Sequence, residues 1–115
     1  MNILYKNSRA KKQFSSEYKK KWVYPDKVKE KLLSTENFIQ QATSLLDIFQ
    51  YAPFRFHQLE GDRKYEWSIC LGNTGFRVTV LPCDKDGKPI KGEDILRTCK
   101  LIKIIMVTEV SNHYE

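Results

Sequence analysis

YEWSICLGNTGFRVTV, residues 65–80, is the stretch that decides the fold. Tyr65, Trp67, Ile69 and Leu71 alternate with Glu66, Ser68, Cys70 and Gly72, and after Gly72-Asn73-Thr74-Gly75 the alternation resumes as Phe76, Val78 and Val80 against Arg77 and Thr79. A period of two on both sides of a glycine-rich break predicts a β-hairpin with its turn at Asn73-Thr74. Arg77 then lies on the face opposite Phe76, Val78 and Val80. Trp67, which alternates inward with Ile69, belongs to the core.

Moving outward, residues 84–98 are polar and rich in glycine and charge, the pattern of a long loop between strands. Residues 100–112 follow as a final strand whose centre is apolar on both faces. Before the hairpin, Val28, Leu32, Thr35, Ile39, Ala42, Leu46 and Phe49 recur at three-to-four spacing, which predicts one helix from 26 toward 49. Tyr51-Ala52-Pro53 ends it. Ala10, Phe14 and Tyr18 mark an earlier amphipathic helix that turns Arg9, Lys12, Lys19 and Lys20 outward, broken at Tyr24-Pro25-Asp26. Residues 2–5 form a short first strand. The expected class is α+β, an antiparallel sheet with two N-terminal helices packed on it, in one domain spanning 1–115.

The 115 residues leave no room for a second core. Net charge is +6, but residues 1–31 alone hold ten basic and three acidic side chains, a local +7 against −1 for the rest. Such a one-sided field attracts a polyanion such as RNA or DNA, or it is a solvated helix face that contacts nothing. Cys70, Cys83 and Cys99 are odd in number and lack a C-x-x-C pair, so reduced thiols are expected. With only His57 and His113 as imidazoles, neither a metal nor a cofactor is expected. The longest apolar run, 101–107, is interrupted by Lys103 and too short to span a bilayer. The first residues lack a signal-peptide core, which predicts a cytoplasmic protein with no membrane partner.

Around the hairpin, FRFHQLEGDRKYEWSICLGNTGFRVTV (54–80) resembles the HigB branch of the RelE/ParE toxin superfamily, the plasmid maintenance killer proteins. His57, Leu59, Gly61, Asp62, Arg63, Trp67, Ser68, Ile69, Arg77 and Val78 stand at the places of its signature, H-x-L-K-G-D-R-x-x-x-W-S-I followed by a turn and R-[IV]-x-[FV]. The ending EVSNHYE is similar to the family's closing strand, although Ser111 and Asn112 replace the usual Asp and Tyr.

The resemblance implies a RelE-like fold and a type II toxin-antitoxin toxin, an endoribonuclease that cuts mRNA in the ribosomal A site. A HigA-like helix-turn-helix antitoxin would neutralise it, and operator DNA would be met only through that complex. The resemblance also assigns Arg77 as phosphate clamp and His57 as an active-site imidazole, and His113 with Tyr114 resembles the ending of the related YoeB toxins, which implies proton transfer and substrate orientation. Cleavage by the substrate's own 2′-hydroxyl needs a base, an acid and cations around the phosphorane, but no metal. Glu60 departs from the family's lysine and replaces a cation with a carboxylate. Arg63, Lys64 or the lysines of the first helix would then compensate, or Glu60 itself would be the general base. Arg63 pairs with acid or with RNA, and Lys64, Arg9, Lys12, Lys19 and Lys20 are the further RNA-binding candidates. Two rivals share the fold: a ParE-like toxin that acts on DNA gyrase without cutting RNA, and an inactive remnant that serves as antitoxin partner and co-repressor.

Overall fold

The computed structural model describes residues 1–91 and 94–112. Its first element is strand β1 (Asn2–Tyr5), followed by helices α1 (Ser8–Phe14), α2 (Asp26–Gln41) and α3 (Leu45–Gln50). Strands β2 (His57–Gln58), β3 (Trp67–Cys70) and β4 (Phe76–Cys83) come next, then a short helix α4 (Ile95–Thr98) and strand β5 (Ile104–Asn112). The class is α+β, as the alternation of periods predicts.

The hairpin forms as expected, with Ile69 opposite Val78 and Trp67 opposite Val80. Its turn uses left-handed backbone at Gly72 and Gly75, φ 61° and 84°, which only glycine adopts without strain. Trp67 is buried, stacked on Phe56 at a centroid distance of 4.9 Å and edge-on to Phe49 at 5.2 Å. It is core.

The sheet order is β1-β5-β4-β3-β2, and it corrects the expectation of an antiparallel sheet. β1 runs parallel to β5, with Asn2 opposite Ile104 and Tyr5 opposite Val107, so the sheet is mixed. Parallel neighbours need a long crossover. Here the three helices and the remaining strands supply it, a relation between chain ends that no local period reveals.

The long helix is also divided. α2 stops at Gln41, Ala42 is extended at ψ 142°, and α3 begins after Ser44. Asp47 Oδ2 accepts the Thr43 N–H at 2.7 Å and stabilises the corner, while the Leu45 N–H donates to Ile102 O at 2.9 Å and ties α3 to the segment before β5. Leu45 and Ile48 are fully buried. The residues of the corner keep the apolar spacing, which is why periodicity misses the break. α1 is likewise shorter than its stripe: it ends at Phe14, and Ser15 caps a 3-10 segment, Ser16–Lys21, that carries Tyr18, Lys19 and Lys20.

The polar stretch 84–98 contains a tight turn in which Asp84 Oδ1 accepts from the N–H groups of Asp86 and Lys88, at 2.9 and 3.0 Å. It also holds α4, capped by Asp94. Residues Cys99–Leu101 are helical, so β5 starts four residues later than its apolar pattern suggests. Between Val107 and Glu109 the register slips, leaving Thr108 as a bulge. That one extra residue changes parity, so Ile105 and Val107 point to the core and so does Val110. No helix among the described residues is long and apolar enough to cross a membrane.

Candidate active site

Cross-strand partners share a face, so register assigns the polar side of the sheet directly. His57 is opposite Ser68, and Ser68 is opposite Thr79, which in turn faces Glu109. One pleat away, Cys70 is opposite Arg77 and Arg77 is opposite Ser111. The apolar residues of the same strands, Ile69, Val78 and Val110 among them, are buried on the helix side.

At the hairpin end of this polar face lies a hollow of about 530 Å³ lined by Arg55, His57, Ser68, Cys70 and Arg77, together with residues of the turn. Among the described residues, no carboxylate lines it. His57 and Arg77, twenty residues apart in sequence, therefore meet in one depression. His57 Nδ1 lies 2.7 Å from the Arg55 carbonyl oxygen. A carbonyl oxygen only accepts, so Nδ1 carries a proton, and in the neutral ring the lone pair lies on Nε2. Arg55 holds that carbonyl in place with φ 43°, the one left-handed non-glycine residue among those described. Such a conformation is costly for an arginine and tends to persist where the surroundings enforce it. Here it closes the 3-10 turn Ala52–Phe54, anchored by buried Phe54.

Arg63 lies elsewhere. Its Nε and Nη2 donate to the two carboxylate oxygens of Glu66 at 2.7 and 3.0 Å, Nη1 pairs with Glu109 at 3.1 Å, and Nη2 also donates to Thr79 Oγ1 at 3.2 Å. Thr108 Oγ1 donates to Glu66 at 2.6 Å. The hydrogen bonds from Arg63, more than its charge, hold the Glu66 carboxyl below the usual carboxylate range. Of the two expectations for Arg63, pairing with acid is the one the geometry meets.

The other candidates are dispersed. Glu60 is exposed where the chain enters the 3-10 turn Gly61–Arg63 and does not line the hollow. Lys64 lies over the Tyr65 ring at 5.1 Å, shared with Lys91 at 5.8 Å. Arg9 and Lys12 line a second hollow of about 500 Å³ with Trp22 and Tyr24, and Lys19 and Lys20 are exposed nearby on the 3-10 segment. Tyr24 meets Phe76 edge-on at 5.8 Å, and Phe76 in turn borders the hollow of His57 and Arg77. His113 and Tyr114 lie outside the described residues.

Sequence reasoning missed Arg55 and Ser68. Ser68 was within reach, because hairpin register places it on the face of Arg77. Nothing local announces the backbone twist of Arg55. Among the described residues, no three His, Cys, Asp or Glu side chains gather as a metal site requires, and the three cysteines are free. Burial, reinforced by Asp84, pushes the Cys83 thiol up to about 11.

The hollow thus brings together an imidazole, the Arg77 side chain and, among the described residues, no opposing acid, an arrangement suited to a substrate that carries a phosphate beside a hydroxyl. Compared with known proteins, the chain matches no protein-family model and no curated protein.

Proposed function

We propose that this chain is an RNA-cleaving toxin of HigB type with a RelE-like fold, acting on mRNA in the ribosomal A site and neutralised by a HigA-like antitoxin in the cytoplasm. What carries the reading is the convergence of His57 and Arg77 in one hollow that no carboxylate lines among the described residues. In the proposed step His57 Nε2 takes the proton of the 2′-hydroxyl, whose oxygen attacks the adjacent phosphorus. Arg77 neutralises the extra charge of the phosphorane. The P–O5′ bond breaks, leaving a 2′,3′-cyclic phosphate, and the departing 5′-oxygen receives a proton, the task the resemblance gives to His113. Glu60 is not part of this step, because its position keeps it out of the hollow.

The test is induction of the protein with and without its neighbouring gene, followed by mapping of mRNA 5′ ends. Cuts in phase with codons on translated transcripts support the proposal. Intact mRNA with gyrase-linked DNA damage would replace it with the ParE-like reading, and neither effect with intact antitoxin binding would leave a partner protein. Arg77→Ala should relieve toxicity and keep antitoxin binding; an undiminished toxicity would remove the site assignment.

A further inference from the structure

Among the described residues, three buried side-chain polar atoms lack a hydrogen-bond partner: Ser68 Oγ, Arg77 Nε and Ser111 Oγ. They are neighbours on one face. Arg77 stands opposite Ser111, and Ser68 is one pleat along on β3. Buried hydroxyls ordinarily find partners, and one that does not leaves the chain less stable than a methyl group in its place would. Thr79 shows the ordinary outcome on this same face. It is 0% exposed, and its hydroxyl is bonded to Thr108 and to Arg63. Ser68 is 1% exposed, directly across from Thr79, and unbonded.

Each unmet group can donate a hydrogen bond, and two of the three residues, Ser68 and Arg77, line the hollow, where no acid stands among the described residues. We infer that Ser68 and Arg77 form a recessed oxyanion subsite for one phosphate group, with the Ser68 hydroxyl and the Arg77 Nε–H both donating to it. Rotation about the Ser68 Cα–Cβ bond turns the hydroxyl toward the hollow and breaks no hydrogen bond, because it has none to break. Occupation satisfies donors that folding leaves unmet, so the anion should stabilise the fold as it binds. Only the natural ligand depends on the nuclease reading: a free phosphate and the phosphodiester of an RNA present the same oxygens.

The experiment is thermal melting of the full chain in sodium phosphate against sodium chloride of equal ionic strength, with an uncleavable all-2′-deoxy oligonucleotide as a second ligand. Phosphate should raise the melting temperature of the wild type. Ser68→Ala should melt at or above the wild type in chloride, yet bind phosphate about tenfold more weakly. Unchanged phosphate affinity in Ser68→Ala overturns the subsite, and so does a clear loss of stability in chloride, which would reveal a structural partner for the hydroxyl. Should the variant not fold, the unsubstituted chain decides: phosphate must shift the Arg77 Nε–H resonance in an NMR titration, and an unmoved resonance ends the proposal. Much tighter binding of the oligonucleotide identifies the polymer as the source of the phosphate, and equal binding identifies the free anion; each supports the subsite. Anion binding through Ser68 without RNA cleavage would sink the nuclease reading alone. RNA cleavage at full rate by Ser68→Ala would sink this one alone.

Discussion

Arg63 and Arg77 both reach the polar face of the sheet, and their surroundings are opposites. Around Arg63 the donors are matched, by two oxygens of Glu66, one of Glu109 and the Thr79 hydroxyl. Thr79 is only two residues from Arg77 on β4, yet in the hollow of Arg77 the Nε–H and the Ser68 hydroxyl have no partner among the described residues. A guanidinium whose partners lie within the chain contributes to folding, whereas one left open is available to an outside anion. The contrast separates an arginine paired within the chain from one left open, where sequence places both in the same resemblance.

Exchanging the two roles gives the largest expected effect. Loss of the Arg77 clamp should lower the cleavage rate by about 10² or more. Melting temperature should stay near that of the wild type in Arg77→Ala, since no intramolecular hydrogen bond of its Nε–H is lost. Arg63→Ala should do the reverse. It leaves Glu66 and Glu109 without their common cation, and because Arg63 is about a third exposed the cost is screened to about 1–2 kcal/mol. For a domain of this size that lowers the melting temperature by about 4–8 °C, while cleavage by the folded fraction survives. Parallel losses of stability in both variants would erase the distinction.

The difference between the two arginines is also where local pattern stops being informative. Parity places Arg77 opposite Val78 and Val80, and the glycine-rich turn gives the hairpin its pairing, so Ser68 and Arg77 are legible as face-mates from 65–80 alone. The partners of Arg63 are not, because Glu109 arrives from a strand more than forty residues away and reaches Thr79 only through the bulge at Thr108. The same limit explains the parallel β1–β5 pair and the corner at Ala42, where spacing continues through a change of direction. Arg55 is invisible for another reason: its left-handed backbone results from the turn around Phe54, not from any preference of arginine. The sequence therefore indicates which side chains share a face better than it indicates which of them are already occupied.

A smaller effect sharpens the structural side of the comparison. The Glu66 carboxyl titrates below its ordinary range chiefly because Arg63 donates to it, so its contribution is present above the unfolded pKa and is lost as pH falls through the lower folded value. Glu66→Gln should accordingly be less stable than the wild type at neutral pH, with the gap closing below about pH 4. Urea unfolding at pH 7 and pH 3 measures it. A gap that is independent of pH would mean that packing, not ionisation, accounts for the cost.

The least perturbing comparison starts from the unsubstituted chain, because the hollow carries its own reporter. Cys70 stands opposite Arg77, lines the hollow and is partly exposed, whereas Cys83 and Cys99 are buried at 1% and 5% exposure. Only a thiolate is alkylated efficiently, and a thiol pushed up to about 11, as Cys83 is, remains protonated at neutral pH. N-ethylmaleimide should therefore label Cys70 first in the native chain, as peptide mass spectrometry would show. Phosphate at saturating concentration should slow that labelling severalfold, since an anion held by Ser68 and Arg77 occupies the space through which the reagent approaches. Protection cannot be complete, because Cys70 also borders the groove beside α2 and remains open from that side. Arg77→Ala should abolish the protection and Arg63→Ala should retain it. Equal protection in both variants would mean that the anion sits somewhere other than between the two strands that carry Ser68 and Arg77.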